Sequence, residues 1–137
     1  MKKAVCLLLM LSNLCYAAPC DRQEYDKAQH FASIEGEWVV NNRYEGGKNI
    51  RTQMTSCEYN SYSNKFKVGM DIYWEGRYSG DTYNSEGYME MNQSGSSRHY
   101  TETYRNQNLK DYVSNRNTTA GVAAILLLLG AAAASSE

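Results

Sequence analysis

Proline is nearly missing from this chain: Pro19 is the only one in 137 residues. There is no Gly-X-Y period either, so collagen-like and polyproline chains are excluded. Positive charge is not in excess. Fourteen Lys and Arg stand against 15 Asp and Glu, a net charge of -1, so no nucleic-acid partner held by a basic patch is expected. His30 and His99 are the two histidines. Neither lies at ligand spacing from a cysteine or from the other, so no metal site is expected. His-Glu-x-x-His, Gly-x-Ser-x-Gly, Cys-x-x-Cys and a phosphate-cradling Gly-rich loop are all absent. No catalytic residue and no cofactor are therefore assigned. The length allows one domain with targeting segments and excludes a large multidomain enzyme.

The two ends do not read as fold. Lys2 and Lys3 precede the apolar stretch 4–14, and Cys15-Tyr16-Ala17 or Tyr16-Ala17-Ala18 ends in a small residue. This is the form of a secretory signal peptide, residues 1–17, cleaved on export. At the other end, residues 120–134 carry no charge. As a helix they would reach about 22 Å, short of a hydrocarbon core of about 30 Å. Three readings remain for this tail: a thin or tilted membrane anchor, a processed sorting signal, or an apolar helix packed on a partner.

Between the ends, large aliphatics are scarce. Residues 18–119 hold one Leu, three Ile, four Val and two Phe, a content that borders on disorder. Low net charge and eleven Tyr, two Trp and four Met argue instead for an ordered domain with a small aromatic core. Such a core needs a staple. Cys6 and Cys15 leave with the signal peptide, so Cys20 and Cys57 are expected to form a disulfide in an oxidising compartment. Two free or intermolecular thiols are the competing arrangement.

Asp21 followed by Glu24 has the form of a capping box, and Tyr25, Ala28 and Phe31 or Ala32 share a helical face. Residues 18–33 are thus read as a short helix or a charged arm. From Ile34 the period reads as two. Ile34, Trp38, Val40 and Tyr44 alternate with Glu35, Glu37, Asn41 and Arg43. The clearest strand places Phe66, Val68, Met70, Ile72 and Trp74 on one face. Gly87, Met89 and Met91 follow the same rule, then Tyr100 and Tyr104. Turn signals fall at 45–47, 60–64, 79–81 and 93–97. The fold class expected is mainly β: a small antiparallel meander over 34–105, curled into a barrel or sandwich. Residues 106–119 read as a polar linker or a short terminal helix.

The paired carboxylates Glu35/Glu37 and Asp71/Glu75 read as solvated strand charges. Tyrosines are the better lead, because Tyr offers a rigid amphipathic face at low entropic cost. Tyr73, Tyr78, Tyr83 and Tyr88, with Ser79, surround the 79–81 turn and form the candidate binding surface.

The stretch Tyr78-Ser79-Gly80-Asp81-Thr82-Tyr83, followed by Gly87-Tyr88-Met89-Glu90-Met91, resembles a family of small exported bacterial proteins of uncharacterised function. Gly36-Glu37-Trp38 and Cys57 match that family's early Gly-x-Trp and mid-chain cysteine. The similarity covers about 34–105. The family's additional late cysteine is lacking here, and an apolar tail stands instead. The resemblance implies a periplasmic β-rich domain and no particular activity. The five residues 79–83 are also similar to the Ser-Gly-x-x-Tyr signature of periplasmic inhibitors of c-type lysozyme. That resemblance implies that Ser79 and Tyr83 meet the enzyme's carboxylates. The function expected is an exported, non-catalytic binding module at the periplasm or cell surface. Its partner, an envelope protein or a small ligand, would meet the Tyr-rich strands. The alternatives are a tail-held structural component of an envelope assembly and a lysozyme inhibitor.

Overall fold

The computed structural model describes residues 17–134, with side-chain placement to residue 122. The expected signal peptide lies outside the described residues except for Ala17. The elements run β1 (Ala17–Pro19), α1 (Arg22–Arg43), β2 (Gly47–Asn60), β3 (Lys65–Gly76), β4 (Thr82–Asn92), β5 (His99–Arg105) and α2 (Gln107–Ala134). The strands form one antiparallel sheet in the order β1-β2-β3-β4-β5.

The sheet is not closed, which corrects the expected barrel or sandwich. Its inner face is covered by α1, laid against β2 and β3, so closure is not needed to bury it. The alternation read in the sequence holds on β3 and β4. Phe66, Val68, Met70, Ile72 and Trp74 are buried, opposite Met91, Met89, Gly87, Ser85 and Tyr83 in register. Antiparallel sheets tolerate one covered and one wet face, and the opposite face here carries Lys65, Lys67, Asp71 and Tyr73.

The second correction concerns residues 34–43, which are helix and not strand. The capping box at the start of α1 forms as read: the Glu24 N–H donates to Asp21 Oδ1 at 2.9 Å and the Asp21 N–H to Glu24 Oε2 at 2.8 Å. The helix does not stop at residue 33, however. Ala28, Ala32, Glu35, Gly36, Val39 and Val40 are buried, a stripe spaced by three and four that a helix presents to one side. Ile34 and Trp38, assigned to the core by a period of two, lie on the opposite, exposed side. Gly36 is what lets α1 approach the sheet. A Cβ there would collide with Thr52 Oγ1 of β2. The helix ends with Glu45 in the left-handed region (φ 62°), and the Gly46 N–H donates back to the Val40 carbonyl at 2.9 Å. The same carbonyl accepts the Tyr44 N–H at 3.3 Å, so one acceptor closes the helix end, with a residue other than glycine in the left-handed region.

Of residues 106–119, expected as a polar linker or short terminal helix, all from Gln107 onward belong to the first half of α2. Asn106 starts it: its side-chain oxygen accepts the Leu109 N–H at 3.0 Å, and its amide donates to the Thr82 carbonyl at 3.0 Å. Leu109 is buried, with Tyr112 and Val113 packed beside it at i+3 and i+4. From Ser114 to Val122 the helix is exposed. At 1.5 Å per residue its 28 residues extend about 42 Å. Among the described residues no helix is long and apolar enough to cross a membrane.

Cys20 and Cys57 are bonded, with Cα atoms 5.4 Å apart and a sequence separation of 37. The bridge ties the start of α1 to β2. The short strand β1 had no signal in the sequence. It adds Ala17–Pro19 to the far end of β2, and Pro19 is tolerated there because the strand is at an edge.

Candidate functional site

Four aromatic rings from four elements meet at one end of the sheet. Trp74 of β3 stacks on Tyr44 at the end of α1, with centroids 5.2 Å apart and planes 25° from parallel. Tyr83 of β4 packs on Trp74 at 5.7 Å, and Tyr112 of α2 on Tyr83 at 5.6 Å. A cleft of about 110 Å³ opens over this cluster. Tyr44, Tyr83 and Tyr112 form its walls, and Glu45, Arg77 and Tyr78 are at its edges. Ser79 Oγ and the Tyr83 hydroxyl are 3.0 Å apart, and Ser79 Oγ also accepts the Asp81 N–H at 3.2 Å. The turn that holds Tyr78 is thus pinned to the cleft wall. Glu45 approaches Arg116 at 3.9 Å, and the Arg116 guanidinium lies 5.9 Å from the Tyr112 ring centre. Burial raises the Tyr112 phenol above its ordinary pKa, and the Glu45 charge adds to this.

Beneath the cleft a polar cluster crosses the inner face. A register shift between Glu86 and Gly87 leaves Thr103 without an opposite residue. The bulge puts Glu102 and Arg105 on the same face and sends Tyr104 to the other. Tyr100 and Tyr104, read in the sequence as sharing a face, are divided by it. Tyr100 is buried and Tyr104 exposed. The Glu102 carboxylate accepts from the Tyr44 hydroxyl, from Ser85 Oγ at 2.5 Å and from Arg105 Nε at 2.5 Å. Ser85 Oγ is 3.0 Å from the Tyr100 hydroxyl, and Arg43 donates to the Tyr100 carbonyl at 2.9 Å. Burial, then the hydrogen bond to Glu102, pushes Tyr44 up to about 12. Burial raises Tyr100 further, against the opposing effect of Ser85. Burial lowers Arg105, but Tyr44 and Glu102 outweigh it and hold the guanidinium above its ordinary value. Each member has charged or hydroxyl partners, which is how a buried polar network avoids its desolvation penalty.

The five residues singled out in the sequence do not share one surface. Tyr78, Ser79 and Tyr83 meet at the first cleft. Tyr78 is 89% exposed, whereas Tyr83 is 6% exposed and belongs to the core. Tyr73 and Tyr88 lie on the outer face of the sheet, where Tyr88 receives the Lys67 ammonium 4.5 Å from its ring centre. Tyr73 lines a separate cleft of about 570 Å³. Burial, with Asp71 and Glu86 nearby, raises its phenol. Glu35, read as a solvated strand charge, is buried and paired with Arg98 at 3.3 Å. His99 is exposed on β5. Among the described residues no group of three or more His, Cys, Asp or Glu could hold a metal ion.

Tyr44, Glu45 and Tyr112 were missed as cleft residues. Tyr112 carried a usable signal, since Leu109, Tyr112 and Val113 are spaced by three and four. Tyr44 and Glu45 became legible only once residues 34–43 are helical. No protein-family model, curated protein or solved structure matches the chain.

Proposed function

We propose that the chain is an exported, non-catalytic binding module whose partner is a protein or peptide that inserts one side chain into the cleft beside Tyr78. One observation carries the reading. Tyr78 stands almost fully exposed on a turn fixed by Ser79 and Tyr83, at the mouth of a cleft of about 110 Å³. Sites for whole small ligands run to about 300–1,000 Å³. A cleft of this size suits one group of a larger partner. An exposed Tyr at its rim is the residue type that anchors such interfaces. The disulfide fits an oxidising compartment.

The test is a photoreactive residue placed at position 78, with position 62 as control. Tyr62 is also exposed, on the turn between β2 and β3. A single covalent adduct from position 78 and none from position 62 supports the reading. Equal labelling from both, or none from either, sinks it.

A second reading has its own support. Among the described residues, the helix α2 makes its last side-chain hydrogen bond to the rest of the domain through Arg116, which donates to the Arg43 carbonyl at 3.0 Å, and continues into the charge-free segment 120–134. A structural component held by that tail would lose its place when residues 120–137 are deleted, while the domain stays folded. The lysozyme-inhibitor reading rests on Ser79 and Tyr83 being adjacent. It requires stoichiometric slowing of a c-type lysozyme.

A further inference from the structure

We propose that the larger cleft, at the irregularity in β2, is a second binding site and takes a neutral, hydroxyl-rich ligand of the saccharide class. It goes beyond the protein-binding reading above and does not depend on it.

The first observation is an orphaned donor. Trp74 is 2% exposed, and its indole nitrogen Nε1 has no hydrogen-bond partner, the only such buried side-chain atom among the described residues. A buried N–H without an acceptor is costly and rare in folded proteins. Trp74 lines the cleft of about 570 Å³, a volume within the range of small-ligand sites. The Cδ1 atom bonded to this nitrogen lies against Gly47, where a Cβ would sit 2.5 Å from it. The pyrrole side of the indole is therefore against Gly47 at the start of β2, two residues before Asn49 of the cleft lining.

The second observation is how the backbone opens there. The β2–β3 ladder is interrupted between Lys48 and Arg51, and Asn49 within the gap has φ 54°. Neighbouring strand residues ordinarily point to opposite faces. At this gap both Tyr73, from the outer face, and Trp74, from the inner face, reach one cleft. A left-handed Asn at a break in an edge-side ladder is local strain of the kind that accompanies sites.

The lining chemistry selects the ligand class. Arg51 and Trp74 only donate, Glu75 only accepts, and Gln53 does both. Arg51 and Glu75 offset one another in charge. A cation would be opposed by Arg51 and an anion by Glu75. A ligand that donates and accepts from each hydroxyl while offering an apolar ring face to Tyr73 matches every group.

The experiment uses the folded, oxidised chain and two-dimensional NMR of its tryptophan indole N–H groups. There are two such signals, and Trp38, half exposed on α1, is the internal control. Maltotriose and chitotriose are titrated separately, then acetate and tetramethylammonium. The expected result is a saturable shift of the Trp74 signal with a saccharide, an unmoved Trp38 signal, and no response to either ion. Arg51→Ala and Gln53→Ala should each abolish the shift while leaving the free spectrum unchanged. Trp74→Phe, which keeps a ring but removes the donor, should weaken saccharide binding about tenfold by calorimetry, the loss of one hydrogen bond. An unmoved Trp74 signal with both saccharides overturns the proposal. So does a shift driven by an ion, or one that survives both lining substitutions.

Discussion

Glu35, on α1, pairs with Arg98 immediately before the last strand, 63 residues away, with Nε 3.3 Å from Oε2. Arg98 also donates to the Gly95 carbonyl at 2.5 Å and lies 5.4 Å from the Phe31 ring centre. One guanidinium thus fastens the β4–β5 turn to the helix. Glu35 is 4% exposed, so removing Arg98 leaves a carboxylate buried without its partner. Arg98→Met should lower stability by about 1.5–3 kcal/mol. Glu35→Gln combined with Arg98→Met should cost less than the two single changes added together, because the charge to be compensated is gone. Urea denaturation of the four proteins checks this. Simple additivity would mean that the pair contributes no coupling.

Gly36 faces Thr52 so closely that a Cβ would overlap the hydroxyl. In an exposed helix Gly→Ala is stabilising by roughly 1 kcal/mol. Here Gly36→Ala should instead destabilise by about 1–3 kcal/mol, the cost of overpacking. Thr52→Ala in the same chain should restore most of the loss, since it removes the colliding oxygen. Thermal unfolding of the single and double variants distinguishes steric conflict from a change in helix propensity.

The same residue shows why the sequence misled where it did. Ile34, Trp38 and Val40 are β-formers by local preference, and their positions fit a period of two. The stripe 28, 32, 35, 36, 39 and 40 fits helix equally well, but Glu35 and Gly36 are its centre. Neither residue type advertises a core position. Only the partner Arg98 and the close strand at Thr52 make them suitable, and both are distant in sequence. By contrast, β3 was legible because five large apolar residues in strict alternation leave no other reading. The capping box and the disulfide were legible because each depends on few residues. The cleft was half legible. Tyr78, Ser79 and Tyr83 share a turn, whereas Tyr44 and Tyr112 arrive through two helices whose packing no local pattern encodes.

The buried phenols give a pH dependence. Burial, then the hydrogen bond to Glu102, pushes the Tyr44 phenol from its ordinary value of 10.0 up to about 12 in the folded chain. A raised folded value means that the native state holds its proton where the unfolded chain has released it. This contribution to stability is therefore intact below about pH 10 and lost as the pH rises toward 12. Tyr100, shifted in the same direction, steepens the loss. Denaturant midpoints should fall across this window. In Tyr44→Phe the fall should be shallower, although Glu102 then lacks one donor and the overall stability is lower. A midpoint that stays flat through the window would contradict the burial of both hydroxyls.

Reduction of Cys20–Cys57 frees a 37-residue separation, for which the chain-entropy model gives a loss of about 3–4 kcal/mol. The domain has a thin core, so Cys20→Ser with Cys57→Ser should be partly unfolded at moderate temperature. Far-ultraviolet circular dichroism with and without a thiol reductant reads the difference. Equal melting of the oxidised and reduced chains would show that the core holds without its staple.

Tyr78, on the turn between β3 and β4, and Tyr83, on β4, stand five residues apart and should behave as opposites. Tyr83 packs between Trp74 and Tyr112 and is held by Ser79. Tyr83→Ala should cost about 3–5 kcal/mol, the range for deleting a buried aromatic. Tyr78 leaves its ring in solvent, so Tyr78→Ala should stay within about 0.5 kcal/mol of the parent. The partner-binding role assigned to Tyr78 requires this separation. If Tyr78→Ala lowered stability as Tyr83→Ala does, any loss of binding would be a loss of fold. If stability holds and partner binding is lost in Tyr78→Ala, the ring acts on the partner directly.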